Sequence, residues 1–241
     1  MVFRLKMQFK YNKLFLSNQT FFRKLFNNSK NLFEIKLYTY IEKFLKLTHP
    51  KKKFKLKTSN RFSLEEMASP PLALNLYEFI CNLVKPKKVL EIGTFVGVSA
   101  LTLAKATEKN CRIFTIEKFK EFFDIAKYNF KINKLNKKIK IYHGDAVNIL
   151  RKFNRLKFDL IFLDGDKGKY LEIFKIIERN NIKKNSVIII DNFFFHGDVL
   201  NKSPSEKGKG VKRLGLYISK SNKFNITLLP MYDGIALLKR K

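Results

Sequence analysis

From Val89 onward the chain alternates short apolar runs with longer stretches of helical periodicity, and no other feature limits its fold as much. Strands are predicted at Val89–Ile92, Arg112–Glu117, Ile139–Tyr142, Leu160–Asp164 and Val187–Asp191. Helices are predicted between them, over Ser99–Glu108, Phe119–Asn133, Ala146–Phe153 and Lys169–Asn180. Apolar strands separated by helices pair in parallel and are covered on both sides. The tail breaks this rhythm. Phe224–Leu229 and Ile235–Lys239 flank Pro230-Met231-Tyr232-Asp233-Gly234, the pattern of a hairpin. The expected fold is α/β: a mainly parallel seven-stranded sheet with helices on both faces and a C-terminal antiparallel hairpin.

Upstream, apolar spacing predicts a helix over 34–48, ended by Pro50 and Lys51–Lys53, and a second over Leu72–Val84, broken by Lys85-Pro86-Lys87-Lys88. The length of 241 residues suits one such domain. No apolar run approaches the roughly 20 residues that cross a bilayer, so a soluble, cytoplasmic protein is expected. Two cysteines, Cys81 and Cys111, supply neither a metal framework nor a disulfide scaffold, and both are expected to be buried and reduced.

The formal charge is +30. Such a charge suits a polyanion partner such as nucleic acid or an anionic membrane. Abundant Lys, Asn, Ile and Phe, spread along the whole chain, also suit compositional drift with no selection for binding. Residues 1–33 carry seven Lys/Arg and no acid. Residues 1–36 are therefore separated as a basic extension from a domain over 37–241. An organelle-targeting peptide, a membrane-surface helix and a helical extension packed on the domain all fit that stretch.

The chemistry gathers at the strand ends, where ligands bind in open α/β sheets. Glu91-Ile-Gly93 leads into Gly97 and Ser99 as a strand, a glycine-containing turn and a helix start. A dinucleotide site would need G-x-G-x-x-G to meet a pyrophosphate. Here the spacing is absent and a carboxylate stands at the strand end, which suits a cationic ligand carrying a sulfonium and an ammonium. Glu117 ends the next strand, where an acid accepts from ribose hydroxyls, and Gly144-Asp145-Ala146 follows the third, beside the expected adenine edge. Each acid taken singly also reads as a helix cap or a solvated charge.

The fourth and fifth strands stop at Asp164 and at Asp191-Asn192. Side by side they bring three oxygen ligands to one point, and oxygens without His or Cys suit a hard cation such as Mg²⁺. Asp164 and Asp191 can alternatively cap the segments that follow.

Met67-Ala68-Ser69-Pro70, the Glu91–Ser99 turn, Glu117, Gly144-Asp145-Ala146, Asp164-Gly-Asp-Lys167-Gly-Lys-Tyr170, Asp191-Asn192 and Tyr232-Asp233-Gly234 follow one another in an order that resembles the cation-dependent O-methyltransferases, the group of the caffeoyl-CoA and catechol enzymes. The resemblance covers about Leu37 to Lys241. It implies a Rossmann-like class I methyltransferase fold. It also implies an S-adenosyl-L-methionine pocket lined by Met67, Ser69, Glu91, Gly93, Ser99, Glu117, Asp145, Ala146 and Asp164, and a divalent cation, Mg²⁺ above all, on Asp164, Asp191 and Asn192. Lys167 looks like the lysine that takes the acceptor proton in the catechol enzymes, a role that requires its pKa to be depressed. A homodimer is implied as well. The sequence departs from the family at Pro71-Leu72-Ala73-Leu74, at Phe193-Phe194-Phe195-His196 and at Gly165, and the polar stretch Asn201–Gly210 reads as a flexible flap beside the acceptor.

The leading expectation is methyl transfer to a hydroxyl of a small catechol-like acceptor. The alternative keeps the chemistry and changes the partner to 5-hydroxyuridine in tRNA, as in some bacterial relatives, which the basic stretch 51–61 would suit. A non-enzymatic binding module would be expected to show damage to the metal triad or the donor pocket, whereas Asp164, Asp191 and Asn192 are all present.

Overall fold

The computed structural model describes residues 32–241. The basic extension expected over 1–36 therefore lies outside the described residues as far as residue 31, and its last residues open helix α1 (Leu32–Phe44). After a break, α2 (Pro50–Lys53), α3 (Leu64–Met67) and α4 (Pro71–Val84) lead into the sheet. Pro50 and Lys51–Lys53 do not simply end a helix as expected: Pro50 opens α2, because a proline at the first helical position gives up an N–H that has no partner there anyway.

β1 (Lys88–Ile92), β2 (Arg112–Glu117), β3 (Ile139–His143), β4 (Phe158–Leu163) and β5 (Ile182–Ile190) are joined by α5 (Val98–Ala106), α6 (Lys120–Ile132), α7 (Ala146–Lys152) and α8 (Tyr170–Asn180). Then come α9 (Glu206–Ser219), β6 (Phe224–Leu229) and β7 (Ile235–Arg240). The seven strands lie in the order β3-β2-β1-β4-β5-β7-β6. β1 to β5 pair in parallel, while β7 runs antiparallel between β5 and β6. The chain thus forms the expected mixed sheet, with the tail hairpin inserting its second strand next to the parallel set.

Side-chain alternation feeds two cores. Val89, Leu160, Phe162 and Ile189 face α4, α5 and α6, and Leu90, Ile161, Ile188 and Ile190 face α7, α8 and α9. All eight are at 0% exposure, each worth about 1.5–3 kcal/mol of burial. β5 begins five residues before the expected Val187, at Ile182. Its first half is Lys183-Lys184-Asn185-Ser186, too polar to read as a strand, and the sheet recruits it where the β4–β5 register shifts between Phe158 and Leu160. Among the described residues, no helix is long and apolar enough to cross a membrane. Cys81 and Cys111 are free thiols, buried as expected.

Candidate active site

β1 is hydrogen-bonded to β2 on one side and to β4 on the other, so the direction of winding reverses at its carboxyl end. A crevice opens there for geometric reasons alone. It contains a cavity of about 520 Å³, walled by the ends of β1, β2, β4 and β5, the Glu66–Pro70 segment before α4 and the β6–β7 turn.

The turn after β1 is shaped by one close approach. Gly93 has φ +95°, and a Cβ there would lie 2.2 Å from the backbone oxygen of Asp164. Only a glycine lets the β1 turn and the β4 end touch, which brings Asp164 to the cavity wall. From β2, Glu117 reaches the same wall. Its Oε2 accepts the N–H of Thr94 (3.2 Å) and of Phe95 (2.8 Å), and its Oε1 that of Phe119 (2.8 Å). A carboxylate has about four acceptor sites, so these bonds fix its orientation and leave capacity for a ligand. Burial nevertheless pushes its pKa up.

Ten of the twelve residues singled out in the sequence line this cavity: Met67, Ser69, Gly93, Glu117, Asp145, Ala146, Asp164, Lys167, Asp191 and Asn192. Glu91 and Ser99 do not. Glu91 is at 0% exposure behind the turn, where the hydroxyls of Ser99 and Thr115 hydrogen-bond its carboxyl. Burial pushes its pKa up to about 8, which favours the uncharged carboxyl at neutral pH. Asp145 lines the cavity and also caps α7: its Oδ1 accepts the N–H of Val147 at 3.0 Å, and its Oδ2 binds Lys169 at 2.8 Å.

Asp164, Asp191 and Asn192 meet where β4 and β5 end. Lys167 Nζ donates to Asp164 Oδ1 at 2.6 Å. Asp191 Oδ1 accepts the N–H of Asn192 at 2.7 Å, and Asp191 Oδ2 accepts the Tyr77 hydroxyl at 2.8 Å. Burial and the neighbouring Asp164 charge raise the Asp191 pKa to about 6. Two carboxylates that repel one another beside an amide oxygen form a donor set suited to a hard cation. Among the described residues no three His, Cys, Asp or Glu side chains are placed so that they could hold a metal ion, so any cation here would rely on Asn192 as its third side-chain ligand. The lysine differs from expectation. Burial pulls its pKa down, but Asp164, Tyr170 and Asp191 together push it above the usual lysine range.

Sequence reasoning assigned no role to several residues of the wall. Asp233, 1% exposed, accepts the backbone N–H of His196, and the Asn192 side chain lies beside its carboxyl. It thereby holds a turn in which Asn192, Phe195 and His196 all have positive φ. Burial lifts the Asp233 pKa to about 7. Phe95, Phe119 and Phe122 add an aromatic side near Glu117. Tyr232-Asp233-Gly234 carried the signal for Asp233, whereas isolated phenylalanines in a chain with 25 of them carried none.

Only the first half of the expected flap is a loop. Residues 201–205 are irregular, but α9 starts at Glu206, with Ser205 Oγ accepting the N–H of Gly208 at 3.2 Å, so Gly208 and Gly210 lie in helix.

A model of the O-methyltransferase family matches residues 46–241. The chain is 29% identical over 189 residues to the catechol O-methyltransferase of Niastella koreensis, spanning 73% of this chain and 85% of that one. It is 28% identical over 197 residues to the caffeoyl-CoA O-methyltransferase of Stellaria longipes, spanning 76% and 80%. Among solved structures, the O-methyltransferase from Bacillus cereus in complex with SAH superposes with a TM-score of 0.69 at 26% identity, covering 73% of this chain and 83% of that one. The family match takes in every strand of the sheet and the whole cavity wall: this chain belongs to the O-methyltransferase family.

Proposed function

We propose that the protein moves the methyl group of S-adenosylmethionine to a hydroxyl of a small acceptor with neighbouring oxygens, with a divalent cation held by Asp164, Asp191 and Asn192. The observation that carries this reading is that the three oxygen donors and Lys167 share one cavity with Gly93 and Glu117, so acceptor and donor groups would lie side by side. The donor is supported by the SAH-bound relative of the same fold. Glu117, with its orientation fixed by three backbone N–H groups, would receive the ribose hydroxyls, and Met67 and Ser69 would face the donor from the other wall.

A cation at this site would supply Lewis-acid polarisation of the acceptor hydroxyl. The chain does the rest. Asp164, Asp191 and Asn192 would hold the cation so that the acceptor oxygen it binds is turned toward the methyl carbon, and alignment of oxygen, carbon and sulfur would account for much of the rate. Lys167 stands at Asp164, and a cation sharing that carboxylate would make its ammonium easier to deprotonate, which would fit it to take the acceptor proton.

The test is transfer from labelled S-adenosylmethionine to a catechol panel and to unmodified tRNA, with and without chelator. The expected result is chelator-sensitive label on a catechol. Transfer indifferent to the chelator removes the cation, and label on tRNA alone moves the acceptor to nucleic acid.

A further inference from the structure

Tyr77 lies in the middle of α4 at 0% exposure, its ring packed on Phe162 of β4 with 4.7 Å between centroids. Its hydroxyl donates to Asp191 Oδ2, from a residue 114 positions away in the chain. The Ser69 side chain also reaches toward the phenol oxygen, from the segment that walls the cavity before α4. With Asn192 N–H on Oδ1 and the phenol on Oδ2, each Asp191 oxygen has one fixed donor. Phenylalanine would pack equally well on Phe162. The hydroxyl buried at this depth therefore has its reason in the carboxylate it meets, since a buried phenol without a partner is costly.

We propose that Tyr77 is a positioning residue: it sets Asp191 as a cation ligand and, through Ser69, links cation binding to methyl-donor binding. This rests on the reading that Asp164, Asp191 and Asn192 hold a divalent cation. Hydrogen bonds to ligating carboxylates fix their direction, and losing such a partner costs about 10–100-fold in metal affinity. A donor that orders Ser69 orders the phenol from one side, and a cation on Asp191 orders it from the other. Coupling of this kind is reciprocal, so either ligand strengthens the other.

The experiment uses the full chain with Mn²⁺ as probe. Free Mn²⁺ is read by electron paramagnetic resonance, with and without S-adenosylhomocysteine, for the parent, Tyr77→Phe and Ser69→Ala. The parent is expected to bind Mn²⁺ at least about 5-fold tighter when S-adenosylhomocysteine is present. Tyr77→Phe is expected to weaken Mn²⁺ binding about 10-fold or more and to abolish that gain. Ser69→Ala is expected to lose the gain and keep most of the affinity. A purely structural tyrosine would lower the melting temperature and leave both numbers unchanged, which overturns the proposal. Should Tyr77→Phe fail to fold, Ser69→Ala still decides the coupling: a retained gain overturns it. A parent with no saturable Mn²⁺ site removes the cation reading itself, an outcome distinct from a parent that binds and a variant that binds equally well.

Discussion

Gly210 of α9 rests on the backbone of Lys167: a Cβ at that glycine would lie 2.2 Å from the Lys167 carbonyl oxygen and 2.8 Å from Gly168 Cα. The helix is thereby docked against the turn that carries the lysine. The two glycines that suggest flexibility in the sequence serve close packing instead: the Lys167–Gly168 backbone occupies the space a side chain would take at Gly210, and the Asp198 carboxylate occupies it at Gly208.

In an ordinary helix, Gly→Ala gains about 1 kcal/mol. At Gly210 the sign should reverse. Gly210→Ala is expected to cost about 1–3 kcal/mol through overpacking and to lower kcat by displacing Lys167, with the KM for the methyl donor little changed. Urea unfolding and steady-state kinetics check both. A variant as stable and as active as the parent would show that the helix yields freely.

Glu91 gives a pH prediction with a definite sign. Its folded pKa lies near 8, above its ordinary value of 4.5. Between those limits the folded state keeps a proton that the unfolded state has released, so this group's contribution to stability falls as pH rises from about 4.5 to 8 and is level outside that window. Glu91→Gln should remove the slope. The stability difference, variant minus parent, should therefore grow from pH 5 to pH 8 in denaturant melts without donor. A constant difference would mean that the buried carboxyl does not keep its proton.

A cation bound at Asp164 would compete with Lys167 for that carboxylate, since Nζ lies 2.6 Å from Oδ1. Lys167→Met is expected to lower kcat by about 100-fold or more, as for loss of a general base, while Mn²⁺ affinity stays the same or rises. A fall in both would make the lysine a structural support of the cation site.

Both thiols should be silent. Burial raises the pKa of Cys81 to about 12 and pushes that of Cys111 up as well. Since thiolate is the reactive form, Ellman's reagent should label neither in the native protein at pH 8 and both after denaturation. Rapid labelling of the native chain would contradict the packing around α4 and β2.

Much of this architecture is legible residue by residue. Ile188-Ile189-Ile190 is apolar on consecutive positions, so both of its faces must be covered, and helix–strand alternation then dictates parallel pairing. The strand-end acids Glu117, Asp164 and Asp191 are equally visible, because in such a sheet the carboxyl ends of neighbouring strands share one edge. Position along a strand does not tell which way a carboxylate turns once the strand stops. Glu91 stands at the last turn of β1 like a ligand-binding acid, yet it packs behind the turn against Ser99 and Thr115.

What the sequence determined by itself is whatever depends on local periodicity and on residue type: the elements, the two-sided sheet, and the set of strand ends that carry oxygen. Tertiary structure alone decided what depends on contacts between distant segments. Tyr77 meets Asp191, Asp233 holds His196, and Gly210 makes room for Lys167. Those contacts join positions far apart in the chain, and no local pattern encodes them because their energy exists only once the helices have packed on the sheet.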